Sequence, residues 1–240
     1  MKYITFGKKK NPAIVFLHGW GGCAESWGVI PARLAGFGYY SIVIDFSDFK
    51  EWPNSEQGLY VLDFAIEVKE LLENLKITDV SFVGHSFGGR IAVKIAGLKM
   101  VEVKKLVLVD SAGLKPRRGL KYKYNVWRYK SLKKRVECGK ANKDCLEKYG
   151  SADYKALSSI ERKTFINVVN EELSPNAQNI DCPTLLVWGK NDKDTPFYMA
   201  RKFKKLIKNS RLEVYPAGHF SYLECMDEFI DDVYGFLLSS

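Results

Sequence analysis

The chain has 240 residues, of which 46% are hydrophobic and 27% charged, and its formal net charge at pH 7 is +9. This composition is ordinary for a globular protein with one large core, and the sequence contains no internal repeat or low-complexity tract. No stretch approaches the roughly 20 apolar residues that span a bilayer, and the N-terminus lacks the apolar run of a signal peptide. We therefore expect a cytoplasmic protein without a stable membrane anchor.

The five cysteines form no recognisable metal-binding or disulfide pattern. They are Cys23, Cys138, Cys145, Cys182 and Cys225. Their number is odd, no two have CxxC spacing, and the chain has only three histidines, so we predict no metal site and no cofactor. Reduced thiols fit this pattern best, with a Cys138–Cys145 disulfide as an open alternative.

Short apolar runs alternate with helical patterns along most of the chain. The predicted strands are Ala13–Gly19, Ser41–Phe46, Val80–Ser86, Lys105–Ser111, Thr184–Lys190 and Arg211–His219. Most are continuously apolar, which is typical of strands buried on both faces. The predicted helices are Leu59–Leu75, Gly88–Leu98 and Phe197–Ile207, and the apolar face of the first consists of Leu62, Ile66, Leu72 and Leu75. The alternation predicts an α/β fold with a mostly parallel sheet and helices on both faces.

The alternation stops between Gly113 and about Asn179, where no strand-like run occurs. Two helical stripes are present instead, one formed by Val126, Tyr129, Leu132 and Val136 and the other by Ile160, Thr164, Val168 and Val169. We predict a helical insertion after the Lys105–Ser111 strand. The predicted domains are a core of residues 1–112 and 180–240 and an inserted cap of residues 113–179.

The excess positive charge lies in this insertion. Residues 113–175 hold 16 basic and 7 acidic residues, which accounts for the whole net charge, and the segment Lys115–Arg135 has ten basic residues and no acidic one. One interpretation is a set of solvated lysines on the outer faces of the helices. A second is a surface that attracts an acidic partner. A third is a membrane-surface or nucleic-acid segment, because tyrosine and tryptophan interleave with the basic residues; nothing else supports nucleic acid.

A serine stands between two glycines in Gly84-His85-Ser86-Phe87-Gly88, where a predicted strand becomes a helix. Ligands bind at the carboxyl ends of parallel strands, which is where Ser86 lies. A serine hydroxyl is a poor nucleophile unless a base takes its proton. Among the three histidines, His219 is the best candidate because it follows the last predicted strand at the same end of the sheet. The side chain of His85 is expected to point away from its neighbour, and His18 follows a different strand.

A histidine base needs a carboxylate to fix its tautomer and stabilise its developing charge. Asp192 and Asp194 follow the Thr184–Lys190 strand and are the candidates. The oxyanion of a tetrahedral intermediate needs backbone N–H donors. Phe87, at the start of the helix, offers one donor, and Trp20, in the turn His18-Gly-Trp-Gly-Gly, offers another.

The motif G-x-S-x-G and the chain order Ser86, Asp192, His219 resemble the α/β-hydrolase superfamily, and in particular capped serine hydrolases such as small carboxylesterases. The resemblance runs from about Ile14 to the C-terminus. It implies a nucleophile elbow at Ser86, His219 as base, Asp192 as acid, and an oxyanion hole from Trp20 and Phe87. Asp192 is preferred over Asp194 because family members carry G-x-x-D-x-x-x-P, matched here by Gly189, Asp192 and Pro196.

The resemblance leaves substrate recognition open. Many family members carry a D-x-P-G-x-G-like loop after the second strand, but residues 45–50 contain no glycine. His18, His85 and Ser111 are candidates for the substrate pocket, although each also fits a structural role. The family includes members that dock an acyl carrier protein on a basic cap, which is the analogy for an acidic partner here.

The resulting functional hypothesis is a serine esterase that acts on a small-molecule ester or acyl substrate through an acyl-serine intermediate. A C–C hydrolase, thioesterase, amidase or acyltransferase on the same residues is an alternative. A binding protein that retains the fold without catalysis is another.

Overall fold

Seven strands form a single sheet in the computed structural model, which describes residues 1–117, 119–142, 145 and 157–239. The strands are β1 (Lys2–Phe6), β2 (Ala13–Leu17), β3 (Tyr40–Asp45), β4 (Asp79–His85), β5 (Glu102–Val109), β6 (Thr184–Gly189) and β7 (Ser210–Tyr215). Their order is β1-β3-β2-β4-β5-β6-β7, and every neighbouring pair except β1 and β3 is parallel. The predicted mostly parallel α/β architecture is confirmed.

Strand β1 is absent from the sequence-based prediction. It lies at the edge of the sheet, antiparallel to β3, and four of its five residues are exposed. The prediction relied on continuous apolar runs, which mark strands covered on both faces. An exposed edge strand carries no such signal.

Nine α-helices surround the sheet in the described residues. They are α1 (Ile30–Gly36), α2 (Val61–Leu75), α3 (Phe87–Gly97), α4 (Leu120–Glu137), α5 (Ser159–Asn170), α6 (Ser174–Gln178), α7 (Tyr198–Leu206), α8 (Ser221–Glu224) and α9 (Met226–Leu238). None of them combines the length and apolar character needed to cross a bilayer. All five cysteines are free thiols, so the Cys138–Cys145 disulfide is not present.

The core consists of two apolar clusters, one on each face of the sheet. Along β2, Val15 and Leu17 join one cluster and Ile14 and Phe16 the other, as the alternation of strand side chains requires. Helices α2, α3, α6 and α7 cover the first face, and α1 and α9 cover the second.

The buried face of α2 differs from the predicted one. Leu62 and Ile66 are exposed, and the buried positions are Val61, Phe64, Ala65, Val68 and Leu72. The apolar residues of α2 are spaced so that either of two overlapping sides of the helix could form its buried face. The side that carries Phe64 is the buried one, because the Phe64 ring contacts aromatic rings of other elements. These are the rings of Phe46, Phe49, Trp52 and Phe87.

Within its described residues, the segment between β5 and β6, where the sequence predicts the cap, contains three helices, α4 to α6. Helix α5 is held against the loop before α2, because Asn167 Nδ2 donates to the Gly58 carbonyl at 3.0 Å and Thr164 Oγ1 accepts from the Leu59 N–H at 3.0 Å. Residues 118, 143–144 and 146–156 of the predicted cap lie outside the described residues. The division into core and cap stays a prediction.

Candidate active site

Ser86 lies between β4 and α3 in a strained backbone conformation, with φ +49° and ψ −108°. Non-glycine residues rarely adopt positive φ, and such strain persists only where the surroundings enforce it. The Ser86 N–H donates to the Val109 carbonyl at 3.0 Å, and its carbonyl accepts from the Ala112 N–H at 3.1 Å. Bonds to the end of β5 therefore hold the sharp turn that presents the Ser86 hydroxyl.

The two glycines that flank Ser86 permit close backbone contacts. A Cβ on Gly84 would lie 2.7 Å from the Gly88 carbonyl oxygen, and a Cβ on Gly88 would lie 2.0 Å from the Leu17 carbonyl oxygen. Both contacts are with backbone atoms that cannot move independently. The start of α3 thus packs directly on β4 and on the end of β2.

The structure brings Ser86, His219 and Asp192 together in one hydrogen-bonded chain. His219 Nε2 lies 3.0 Å from Ser86 Oγ, and His219 Nδ1 lies 2.9 Å from Asp192 Oδ2. The three residues are brought together by the carboxyl ends of the parallel strands β4, β6 and β7. In the tautomer that this pairing favours, Nδ1–H donates to Asp192 and Nε2 is free to accept the serine proton.

Asp192 is a buried carboxylate with several donors. Its Oδ1 accepts from the N–H groups of Asp194 at 2.8 Å and Thr195 at 3.0 Å, and its Oδ2 lies 2.5 Å from Thr195 Oγ1. Burial alone would raise its pKa, but the hydrogen bonds from His219 and Thr195 outweigh burial and hold the pKa below its ordinary value. The carboxylate therefore stays charged. Asp194, the alternative acid from the sequence, has an exposed side chain.

The pKa of His219 is raised above its ordinary value. Burial acts to lower it, but the hydrogen bond and the charge of Asp192 together outweigh burial, with smaller contributions from the carboxylates of Asp110 and Asp194. This is the direction expected when a neighbouring carboxylate stabilises an imidazolium. A base with a raised pKa accepts a proton from Ser86 more readily.

The two predicted oxyanion donors flank Ser86. Trp20 lies in the turn after β2 and Phe87 is the first residue of α3, and in the described part of the chain neither N–H donates to a backbone carbonyl. The two rings pack edge to face with centroids 5.3 Å apart. This packing ties the β2 turn to the start of α3, and both residues line the cavity at Ser86.

The three pocket candidates occupy different places. His18 is buried, its Nε2 accepts from the Phe46 N–H at 2.9 Å, and burial lowers its pKa. Ser111 is fully buried against α3, and a Cβ on Gly89 would lie 2.2 Å from its hydroxyl. Neither residue is among those that line the cavity, so neither prediction of a pocket residue is supported.

His85 does line the cavity, although it is almost fully buried. Its Nε2 donates to the backbone carbonyl of His219 at 2.8 Å. Burial lowers its pKa to about 3, with a further contribution from the charge of His219. His85 is therefore a neutral hydrogen-bond donor that positions the His219 backbone.

The cavity over Ser86 has a volume of about 730 Å³, which is in the range of small-molecule sites. Most of its wall is apolar, with Trp20, Leu114, Phe165, Val168, Met199 and Phe220 among the lining residues. The helical segment supplies Phe165 and Val168 from α5. Helix α5 and the loop after β5 thus line the cavity together with the sheet core.

Arg90, one turn after Ser86 on α3, also lines the cavity and was not predicted from the sequence. Its guanidinium donates to the carbonyls of Glu171 at 2.9 Å and Val169 at 3.3 Å, at the end of α5. Lys94, one turn further, pairs with the Glu171 carboxylate at 2.5 Å. Cations at a helix C-terminus are stabilising, so α3 holds α5 over the cavity.

Asp110, directly after β5, is a second buried carboxyl group that the sequence analysis missed. Its Oδ1 accepts from the Gly189 N–H at 2.7 Å, and its Oδ2 accepts from the Ser221 hydroxyl at 2.5 Å. Its backbone carbonyl accepts from Thr195 Oγ1 at 2.9 Å. Asp110 thereby connects the loops that carry Asp192 and His219.

The site offers one group of potential metal ligands in the described residues. Ligand atoms of Asp192, Asp194 and His219 lie within 4.8 Å of one another. The His219 and Asp192 atoms are already hydrogen-bonded to each other, so a cation there would have to replace that bond.

The chain belongs to the alpha/beta hydrolase family, whose sequence model matches residues 14–232. The resemblance drawn from the G-x-S-x-G motif is thereby confirmed. An esterase from Exiguobacterium antarcticum is similar in structure, with a TM-score of 0.76 and 25% identity over 99% of this chain and 95% of that one.

Two curated relatives differ in their substrates. Lipase 1 of Psychrobacter immobilis is 26% identical over 98% of this chain and 80% of its own length. The 2-hydroxy-6-oxo-6-phenylhexa-2,4-dienoate hydrolase of Comamonas testosteroni is 25% identical over 92% of this chain and 85% of its own length. These similarities support a hydrolase without specifying the bond that it cleaves.

Proposed function

We propose that the chain is a serine hydrolase that cleaves a carboxylic ester through an acyl-Ser86 intermediate. The observation that carries the proposal is the hydrogen-bonded chain from Ser86 Oγ through the His219 imidazole to Asp192, with distances of 3.0 and 2.9 Å. These distances are within the range for a nucleophile, its base and the group that orients the base.

In the proposed mechanism, Ser86 Oγ attacks the ester carbonyl as His219 Nε2 takes its proton. The N–H groups of Trp20 and Phe87 stabilise the oxyanion, and His219 then protonates the leaving alcohol. Water attacks the acyl-enzyme with His219 again as base. Asp192 stays ionised throughout and stabilises the imidazolium.

The apolar cavity favours an uncharged acyl or alcohol group of modest size, because its wall offers mainly aromatic and aliphatic side chains. Similarity to an esterase and a lipase supports the ester as substrate. The similarity to the dienoate hydrolase makes cleavage of a carbon–carbon bond beside a ketone the second candidate.

The test is turnover of a substrate panel that contains p-nitrophenyl esters of two to twelve carbons, acyl thioesters and vinylogous diketones. We expect the esters to be cleaved fastest, and Ser86→Ala to abolish turnover. Ser47→Ala, at an exposed serine, is the matched control and should retain full activity. Preferred turnover of diketones would replace the ester assignment. Binding of these compounds without turnover of any of them would overturn the proposal that the protein is an enzyme.

A further inference from the structure

Helix α4 is exposed to an unusual degree for an 18-residue helix. None of its described side chains, at residues 124–137, is buried. The least exposed positions, Val126, Leu132 and Val136, share one side of the helix. A helix of this length normally buries a full apolar stripe. Most of the described surface of α4 is therefore exposed to solvent.

The opposite side of α4 carries an exposed aromatic pair. Tyr124 is 56% exposed and Trp127 is 64% exposed, and their rings are stacked with centroids 6.1 Å apart. The guanidinium of Arg128 lies over the Tyr124 ring, 5.8 Å from its centroid. Spacings of three, four and eleven residues from Tyr124 place Trp127, Arg128 and Arg135 on this one face.

Positive charge surrounds the aromatic pair. The sequence of α4 contains seven basic residues and one acidic residue, Glu137. By helical spacing, Lys130 and Lys134 flank the pair on one side and Arg128 and Arg135 on the other. Clusters of basic side chains are attracted to anionic lipid headgroups, and exposed tyrosine and tryptophan rings are favoured at the same level of the bilayer.

We propose that this face of α4, defined by Tyr124, Trp127, Arg128 and Arg135, binds reversibly to anionic lipid surfaces. An acidic protein would also satisfy the charge. The bilayer is favoured because the exposed face combines positive charge with two exposed aromatic rings, and tyrosine and tryptophan prefer the headgroup level of a membrane. Protein interfaces of ordinary size need well-packed, complementary surfaces of about 800 Å² on each side.

The position of α4 in the chain connects this face with the cavity. Pro116 lines the cavity, and Arg117 is fixed beside it because its N–H donates to the Tyr198 hydroxyl at 2.9 Å and its guanidinium lies 4.8 Å from the Tyr198 ring centroid. Helix α4 begins at Leu120, only four residues after Pro116. Surface binding would thus hold the cavity near the bilayer, where amphiphilic esters accumulate.

The experiment measures co-sedimentation of the full-length protein with vesicles of phosphatidylcholine alone or with 30% phosphatidylglycerol. Ser86→Ala is used throughout, so binding is tested whether or not the proposed hydrolase activity exists. We expect binding to the anionic vesicles only. The double variant Arg128→Gln/Arg135→Gln should weaken partitioning by about fivefold for each charge removed.

Two further variants distinguish the contribution of this face to vesicle binding from that of the protein's net charge. Tyr124→Ser/Trp127→Ser should reduce partitioning at least tenfold although it leaves the charge unchanged, because an apolar contact is lost. Lys8→Gln/Lys9→Gln, at two exposed lysines before β2, removes the same charge elsewhere and should change partitioning less than twofold.

Several outcomes would overturn the proposal. One is equal binding to both vesicle types, and another is equal loss in the Lys8/Lys9 and Arg128/Arg135 variants. Binding to poly-L-glutamate without binding to anionic vesicles would do so as well, and would assign the face to an acidic protein partner such as an acyl carrier protein. Full binding by the Tyr124/Trp127 variant would exclude a role for the aromatic pair.

Discussion

At the scale of single residues, Asp192 and Asp194 allow a matched test of the proposed acid. The two carboxylates lie in one loop, but only Asp192 is hydrogen-bonded to His219 and buried. We expect Asp192→Asn to lower kcat by about 10⁴-fold, because the amide favours the wrong histidine tautomer. Asp194→Asn should lower kcat less than tenfold. Steady-state kinetics with the best ester of the panel measures both, and similar losses in the two variants would contradict the assignment.

The raised pKa of His219 predicts the pH dependence of the reaction. Protonated His219 cannot accept the Ser86 proton, so kcat/KM should fall as the pH decreases through the His219 pKa. Because Asp192 raises that pKa, the acid limb should lie above the ordinary histidine value of 6.5. Removing the charge in Asp192→Asn should move the limb of the residual activity to lower pH. If kcat/KM of Asp192→Asn falls at the same pH as that of wild type, a group other than His219 titrates there.

Residue type, chain order and position after strands predict Ser86 and His219, and the family pattern G-x-x-D-x-x-x-P favours Asp192 over Asp194 as the third residue. The same reasoning could not place His18, whose acceptor role depends on the N–H of Phe46, 28 residues away. Asp110 and Arg90 were missed for the same reason. Their partners come from strands and helices that are distant in the sequence, and an aspartate after a strand or an arginine on a helix is usually solvated.

At the scale of elements, the packing of α3 on the sheet depends on glycine. In Gly88→Ala the new Cβ would meet the Leu17 carbonyl at 2.0 Å, whereas in Gly235→Ala, in α9, no atom lies within 4 Å. Gly88→Ala should reduce the free energy of unfolding by about 2 kcal/mol or more, as overpacking does. Gly235→Ala should increase it by up to about 1 kcal/mol, because alanine has the higher helix propensity. Urea unfolding followed by circular dichroism tests both, and changes of the same sign would contradict this packing.

Element prediction from the sequence identified strands β2 to β7 but missed β1 and the buried face of α2. Strands β2 to β6 have apolar residues on both faces, and their patterns identified them. Strand β1 is exposed at the sheet edge, and the face of α2 is selected by the aromatic residues that Phe64 meets in space. Edge position and the choice between two stripes are tertiary properties, which a local pattern does not contain.

At the scale of the whole molecule, Asp110, directly after β5, is hydrogen-bonded to Gly189 in β6 and to Ser221 at the start of α8. Burial raises its pKa to about 7, although bonds from Ser221 and Gly189 partly oppose the shift. The folded state therefore binds a proton more tightly than the unfolded state does, where the pKa is 3.8. Its contribution to stability is full below pH 3.8 and is lost as the pH rises towards 7.

Asp110→Asn should remove this pH dependence. The difference in free energy of unfolding between wild type and variant should shrink between pH 4 and 7, with a slope approaching about 1.4 kcal/mol per pH unit. Urea unfolding at several pH values measures it. A difference that is constant over this range, or that grows with pH, would show that Asp110 is ionised throughout in the folded protein.

The overall architecture explains how residues 86, 192 and 219 meet. Adjacent parallel strands end at the same edge of the sheet, so loops far apart in the chain converge there. This convergence could be predicted once the strands were identified. For α4, the predicted stripe contains its least exposed residues, Val126, Leu132 and Val136, but the pattern does not show that even this side stays only partly buried.

The central claim, an activated serine at position 86, is tested most directly by labelling with a fluorophosphonate, which requires no knowledge of the substrate. Wild type and the Ser86→Ala and His219→Ala variants would be labelled and mapped by mass spectrometry, with circular dichroism to establish folding. We expect stoichiometric modification of wild type at Ser86, none in Ser86→Ala, and a rate at least 100-fold lower in His219→Ala. A folded wild-type protein that resists labelling, or that is labelled elsewhere at equal rates in all three proteins, would contradict it.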